Sequence, residues 1–378
     1  MKIIHKAILP SGFQASAKAC GLKKSGKLDL ALFYSTVPAK TTAMFTTNSM
    51  AAAPVIVCRE HLKKNKLFQA IIVNSGNANC FTGNAGLVGA RQTAEVLASQ
   101  LKIKDNSVLV GSTGVIGKPL DFAKIKKGIP DLVKILSCPG INQAKKAIMT
   151  TDKFSKEITV SYKIGSRKIT VCGVAKGAGM IAPNMATMLA FVFTDALITQ
   201  VALGRALKVA VGNSFNCITV DGCMSTNDTV IVLANGCAGN KIIDSGLALA
   251  KFQSALNTVC LELAKMMVKD GEGATKFIEI NVSDAASYAQ AKKAALAIAN
   301  SNLFKTAVYG ENSNFGRVVA AVGSCGIEFQ EKRFKVNLGN LKKKEVKVKV
   351  FLATGKAKCT VYTSDLTPEY IKINAGYS

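Results

Sequence analysis

The segment best equipped for chemistry is Lys176-Gly177-Ala178-Gly179-Met180-Ile181-Ala182-Pro183-Asn184-Met185-Ala186-Thr187-Met188-Leu189. Gly177 and Gly179 open backbone conformations closed to other residues, and Pro183 fixes the stretch behind them. One threonine, Thr187, then stands at the entrance to an apolar strand, Met188-Leu189-Ala190-Phe191-Val192-Phe193. A threonine there can simply be a β-former. It can also be a nucleophile, and a missing part supports that reading. Ser-His and Cys-His catalysis needs an imidazole beside the nucleophile, and the chain has two histidines. His5 lies in a terminal segment and His61 follows Arg59-Glu60 in a polar stretch, so neither is expected to act as a base. A threonine dispenses with histidine when it is an amino terminus. Its own α-amine, with a pKa of about 8, then takes the proton. That chemistry requires a cut between Ala186 and Thr187.

A second candidate is Gly111-Ser112-Thr113-Gly114, which follows the apolar run Val108-Leu109-Val110. Glycine-rich turns present backbone N–H groups, and two convergent donors make an oxyanion hole. A plain turn is the alternative. The phosphate-loop spacing is not met, since Pro119 follows Gly117-Lys118. Asp270-Gly271-Glu272-Gly273 follows the end of a predicted helix. Glu272 between two glycines is expected to be exposed, either to hold an ammonium group or as part of a solvated turn. Asp221 and Asp228 flank a polar loop, but two carboxylates are too few to argue for a hard cation.

Eleven cysteines are spread along the chain with no C-x-x-C pair. That spacing and two histidines argue against a structural zinc site, so no metal is expected and the thiols read as reduced. The formal net charge of +26 invites a nucleic-acid reading. Against it, 43 of the 49 basic residues are lysine, the clusters are short, and tryptophan is absent, so no nucleic-acid partner is expected. A lysine-rich solvated surface that draws in small anions is expected instead. No apolar run approaches the roughly 20 residues of a membrane span, and the first residues lack a signal-peptide pattern. A cytoplasmic location without membrane partners is expected.

These candidates need elements to hold them. Short strands are predicted at 31–34, 43–45, Val55-Ile56-Val57, 70–73 and 108–110, with a turn cluster at Asn74 to Asn79. Alternation from Glu157 to Val171 around Gly165 predicts a hairpin. Further strands are predicted at 188–193, 229–233, 276–282 and within 334–362. Helical spacing fits 85–102, 200–211, 245–269 and 286–300. A hydrophobic fraction of 49% supplies a core. Strands and helices mix without regular βαβ alternation, which favours α+β layers over a doubly wound parallel sheet.

The run V-A-K-G-A-G-M-I-A-P-N-M-A-T-M-L-A-F-V-F-T-D-A, Val174 to Ala196, closely resembles the signature of ornithine acetyltransferases. These are bifunctional glutamate N-acetyltransferase/amino-acid acetyltransferases of arginine biosynthesis. The resemblance spans nearly the whole chain. It includes Val73 to Asn79, Gly111 to Gly117, Met149 to Asp152, Ser225 to Val230, Asp270 to Gly273, Tyr309 to Glu311 with Asn314 to Arg317, Asp365 to Thr367 and Ile371 to Ala375, in the family's order.

The resemblance implies a layered α+β sandwich of the N-terminal-nucleophile-like type that cuts itself into an α chain, 1–186, and a β chain, 187–378. It implies Thr187 as nucleophile and Thr113 with Gly114 as the oxyanion hole. It implies substrate binding by Thr151, Lys176, Thr187, Glu272, Asn374 and Ser378. The implied reaction moves the acetyl group of N2-acetylornithine to glutamate by a ping-pong route through an acetyl-threonine ester. It needs no cofactor, and acetyl-CoA is allowed as a second donor. An α2β2 assembly is implied as well. The sequence departs from the family at Cys217, commonly arginine, at Cys223, commonly aspartate, and at Phe315, usually tryptophan; the tail to Ser378 is one residue short. Two other functions stay open: an N-terminal-nucleophile amidohydrolase or aminopeptidase, in which water replaces the amine acceptor, and a non-enzymatic binder using the basic surface.

Overall fold

Apolar strands and the helices that cover them divide into two units in the computed structural model, which describes residues 1–182 and 188–376. Unit 1 comprises Met1–Gly177, Thr187–Ser214 and Met224–Leu263. Unit 2 comprises Ala178–Ala186, Phe215–Cys223 and Ala264–Ser378. These are spatial units. The division expected at 186/187 is instead a covalent one.

Among the described residues, unit 1 is built on nine strands: β1 (Lys2–Ile4), β2 (Phe13–Lys18), β3 (Leu30–Phe45), β4 (Leu67–Asn77), β5 (Val108–Val115), β6 (Lys156–Ile164), β7 (Arg167–Lys176), β8 (Leu189–Thr194) and β9 (Thr229–Ala234). Their order is β1-β6-β7-β8-β9-β3-β4-β5, with β2 also on β3. The pairs β4–β5 and β8–β9 are parallel and the others antiparallel, so the sheet is mixed. Every residue of β8 and β9 is buried, which fits their unbroken apolar sequence in a sheet covered on both faces.

The two expected strands at 31–34 and 43–45 are halves of one, β3. A shift in its pairing with β4 between Tyr34 and Ala39 separates them. The first half takes β2 as its second partner and the second half takes β9. Five helices accompany this sheet: α1 (Ala53–Lys64), α2 (Gly83–Leu101), α3 (Phe122–Lys134), α4 (Ile141–Ala147) and α5 (Gln200–Gly212). The strand expected at Val55-Ile56-Val57 is instead the start of α1. Pro54 sits in the first helical turn, where its missing N–H costs nothing, and outweighs the β-branched triplet. Helix α6 (Gly246–Lys269) follows. It lies on the sheet at Gly173, where a Cβ would come within 2.5 Å of Val259 and 2.8 Å of Leu263.

Unit 2 holds a four-stranded sheet in the order β11-β12-β10-β13, from β10 (Phe277–Ala285), β11 (Lys335–Asn337), β12 (Glu345–Phe351) and β13 (Ala357–Ser364). The helices are α7 (Tyr288–Ala299), α8 (Asn302–Tyr309), α9 (Gly316–Gly323) and α10 (Pro368–Ala375). Helix α7 is alanine-rich because Ala291, Ala294, Ala295 and Ala299 form its buried face with Ile298. They share one core with Ile278, Ile280, Val348 and Val361 of the strands. The mixed sheets and segregated helices are α+β, as expected. Among the described residues no helix is long and apolar enough to cross a membrane.

Candidate active site

In unit 1 the site forms where β4, β5 and β7 end. β5 runs parallel to β4, with Ser75 opposite Thr113 and Gly76 opposite Gly114. Gly114 has φ +137°, and a Cβ there would lie 2.4 Å from the Gly76 carbonyl carbon. Only glycine fits so close a backbone approach. The turn is fixed from both sides. Ser112 Oγ donates to Asn74 Oδ1 at 2.6 Å, while Asn227 Nδ2 donates to the Ser112 carbonyl at 2.8 Å and to the Ala78 carbonyl at 2.6 Å.

Lys176, the last residue of β7, brings its ammonium group to this turn. Its Nζ donates to Thr113 Oγ1 at 3.0 Å and to Thr150 Oγ1 at 2.8 Å. Lys176 is 2% exposed. Asp152 supplies the balancing charge. Its Oδ1 accepts from Lys156 Nζ and from the Gly177 N–H at 2.7 Å, and its Oδ2 accepts the Thr150 N–H at 2.9 Å. Burial pushes the Asp152 acid upward, but Lys176 and Lys156 outweigh it and hold the carboxyl down at about 2. Thr151 lies half-buried between Thr150 and Asp152.

Beside this cluster is a pocket of about 770 Å³, lined by Thr150 and Asp152 and by Lys23, Lys27, Lys146 and Lys153 among others. Lys23 Nζ donates to the Leu28 and Met149 carbonyls at 2.9 and 2.8 Å. Burial lowers its pKa to about 8 against the pull of Asp29, with Lys176 adding to the lowering.

In unit 2 the expected exposure of Glu272 is not found. Glu272 is 9% exposed. The turn that carries it is folded in by the tail: Thr367 Oγ1 donates to the Gly273 carbonyl at 2.7 Å, and Asp365 Oδ1 accepts the Thr275 and Lys276 N–H groups at 2.9 Å each. The Glu272 N–H donates to the Ala178 carbonyl at 2.8 Å. Asn374 Nδ2, on α10, donates to Glu272 Oε2 at 3.0 Å. Asp221 holds the neighbouring segment by accepting the Met180 N–H at 2.6 Å and the Ile181 N–H at 2.9 Å.

The structure therefore joins Thr113 to Lys176 and Glu272 to Asn374, each within one unit. Thr187, Ala186 and Ser378 lie outside the described residues. Thr150 and Asp152 lie in the run Met149 to Asp152 that resembles the family, but the sequence reading assigns neither of them a role. Cys217 packs in the unit 2 core, with Sγ 3.7 Å from the Tyr288 hydroxyl, and Cys223 is exposed. His61 is tied to the Val108 carbonyl at 2.8 Å and His5 is exposed. Among the described residues no cluster of three His, Cys, Asp or Glu side chains could hold a metal ion.

Comparison with known proteins places this chain in a family. The model of the ArgJ family matches residues 14–342. The chain is 47% identical over 388 residues to the arginine biosynthesis bifunctional protein ArgJ of Geobacter sulfurreducens, covering 97% of this chain and 98% of that protein. It is 46% identical over 403 residues to the protein of the same name from Caldanaerobacter subterraneus, covering all of both. A solved ornithine acetyltransferase from Mycobacterium tuberculosis, in complex with ornithine, is 35% identical at a TM-score of 0.46, covering 50% of this chain and 99% of that one. The chain belongs to the ArgJ family.

Proposed function

We propose that the protein is an acetyltransferase of arginine biosynthesis that moves an acetyl group from N2-acetylornithine to glutamate. The observation that carries this reading is the Lys176–Thr113 contact in a chain related end to end to ArgJ proteins. In the proposal the bond between Ala186 and Thr187 is cut first, giving chains 1–186 and 187–378. The Thr187 hydroxyl then attacks the acetyl carbonyl while its freed α-amine takes the proton. Thr113 and Gly114 stabilise the tetrahedral oxyanion. The carbon–nitrogen bond breaks, the proton passes to the departing ornithine amine, and an acetyl-threonine ester remains. The glutamate amine attacks that ester and leaves as N-acetylglutamate, returning the hydroxyl to Thr187.

Lys176 and Thr151 are assigned to the substrate carboxylate, and Glu272 with Asn374 to its ammonium group. Ser378 keeps its expected binding role within the proposal. The lysines around the 770 Å³ pocket give a cationic surface suited to substrate carboxylates or to the phosphates of acetyl-CoA as a second donor. No metal or bound cofactor has a role in this chemistry. An α2β2 assembly and a cytoplasmic location belong to the same proposal.

The test combines intact mass under denaturing conditions with an assay for acetylglutamate and acetate. Two chains, the second beginning Thr187-Met188-Leu189, together with glutamate-dependent acetylglutamate would support the reading. Acetate as the main product would instead mean a hydrolase, and an uncut chain without activity would overturn it.

A further inference from the structure

Strand β4 sets Ser75 and Gly76 opposite Thr113 and Gly114 of β5. Residues 22 and 23, to which no step of the proposed chemistry assigns a role, pack on Gly76. A Cβ at Gly76 would lie 3.1 Å from Lys23 Cγ and 3.2 Å from the Leu22 carbonyl oxygen. A Cβ at Gly114 would lie 2.4 Å from the Gly76 carbonyl carbon. The Gly76 backbone is therefore in contact with both the Lys23 stem and the Gly114 turn.

Lys23 also reaches the other wall of the site. Its Nζ donates to the Met149 carbonyl at 2.8 Å and to the Leu28 carbonyl at 2.9 Å. Met149 precedes Thr150, whose Oγ1 accepts from Lys176 Nζ at 2.8 Å, and the same Nζ donates to Thr113 Oγ1 at 3.0 Å. These contacts close a circuit. It runs from Lys23 through Gly76 to the Thr113–Gly114 turn, on to Lys176, and back through Thr150 and Met149 to Lys23. The backbone under Lys23 is fixed as well. Asp29 is fully buried, and its Oδ2 accepts the Leu22 N–H at 2.6 Å and the Lys23 N–H at 3.0 Å. Its Oδ1 accepts the Cys20 N–H at 2.6 Å, and its carbonyl accepts the Ser75 N–H at 2.8 Å. Residues 20–29 thus form a strap tied to β4 at Ser75, and Lys23 fastens that strap to Met149.

We propose that Lys23 is a positioning residue for acetyl transfer, holding the Thr113–Gly114 turn against Lys176. The inference rests on the proposed function, in which that turn stabilises the oxyanion. Lys23 acts through the Gly76 and Met149 backbone rather than on a reacting atom. Its two bonds to carbonyls are charge-assisted, which makes them roughly twice as strong as neutral ones. Oxyanion donors work only when aimed at the place where charge develops, and a misplacement of about 1 Å can cost about 10²-fold.

The test compares wild type, Lys23→Met, Thr113→Val and the double variant. Acetylglutamate formation would be measured per cleaved chain, with cleavage read by intact mass and folding by thermal melting. Methionine keeps the stem over Gly76 and loses the ammonium group. For Lys23→Met, kcat is expected to fall roughly 10–100-fold with KM changed little. On the Thr113→Val background the same substitution is expected to cost little more, because the donor it positions is already gone. An unchanged kcat would overturn the proposal, as would fully additive losses. So would a rise in KM at constant kcat, which would make Lys23 a ligand for substrate anions in the pocket. A wild type that makes no acetylglutamate would sink the proposed function, and this inference with it. Should Lys23→Met fail to fold, Lys23→Arg carries the test, since its planar fork does not copy the two bonds of the ammonium group. A loss in kcat at unchanged KM that disappears on the Thr113→Val background supports the proposal, and any other pattern overturns it.

Discussion

The Lys176 ammonium group donates a hydrogen bond to Thr113 Oγ1 at 3.0 Å. An ammonium group has no lone pair, so the threonine oxygen is the acceptor and its own proton is left for another partner. The hydroxyl is thereby turned into a donor polarised by a neighbouring cation. That is the property an oxyanion hole requires, and it comes from a side chain that the sequence places on a different strand.

Thr113→Val should therefore damage catalysis more than binding. The valine is close in shape but has no proton to offer and leaves Lys176 one acceptor fewer. Loss of one oxyanion donor costs about 10²–10³-fold in kcat. We expect a fall in that range with KM changed only modestly, whereas Thr113→Ser should keep most of the activity. Initial rates of acetylglutamate formation measure both. A rise in KM at constant kcat would mean that Thr113 serves substrate binding instead.

Asp152 makes the acid side of stability predictable. Its folded-state pKa is depressed to about 2, against about 3.9 for an unfolded aspartate. A depressed carboxylate stabilises the fold fully above the unfolded value and loses that contribution as pH falls through the folded one. The window here is about pH 4 down to pH 2, and the contribution is on the order of 2 kcal/mol. Asp152→Asn should be less stable than wild type at pH 6, with the gap narrowing by about that amount as pH falls to 2. Urea midpoints across the range would show it. A gap that stays constant would mean that Asp152 acts through shape alone.

Strand β8 was legible because its apolar run is a local signal. The β6–β7 hairpin and helices α2, α6 and α7 were legible for the same reason. What stayed hidden depends on contacts between distant parts of the chain. Glu272 between two glycines reads as a solvated turn, yet it is buried because the tail returns from 102 residues away to set Asn374 against it. Asp152 has Lys156 four residues away, but it becomes important only once the end of β7 brings the Gly177 N–H, 25 residues away, to its carboxylate. Val55-Ile56-Val57 misled because three β-branched or apolar residues in a row carry no period, and the single residue Pro54 decides the element.

Two glycines beside Glu272, Gly179 in the facing segment and Gly273 next in the chain, should respond differently. At Gly179, a Cβ would fall 2.3 Å from Glu272 Oε2 and 2.4 Å from its Cδ. Those atoms end a flexible side chain, so Gly179→Ala should displace the carboxylate from Asn374 and spare the fold. A charge-assisted hydrogen bond is worth about 1.5–3 kcal/mol, so KM for the amino-acid substrate should rise roughly 10–100-fold. At Gly273, φ is +68° and a Cβ would meet the Tyr370 backbone nitrogen at 2.3 Å. Backbone cannot swing aside, so Gly273→Ala should lower the melting temperature by several degrees as well as impair binding. If Gly179 acts through Glu272, adding Glu272→Gln to Gly179→Ala should cost little more than either change alone. Fully additive losses in KM would mean that Gly179 supports the site by some route other than the carboxylate it faces.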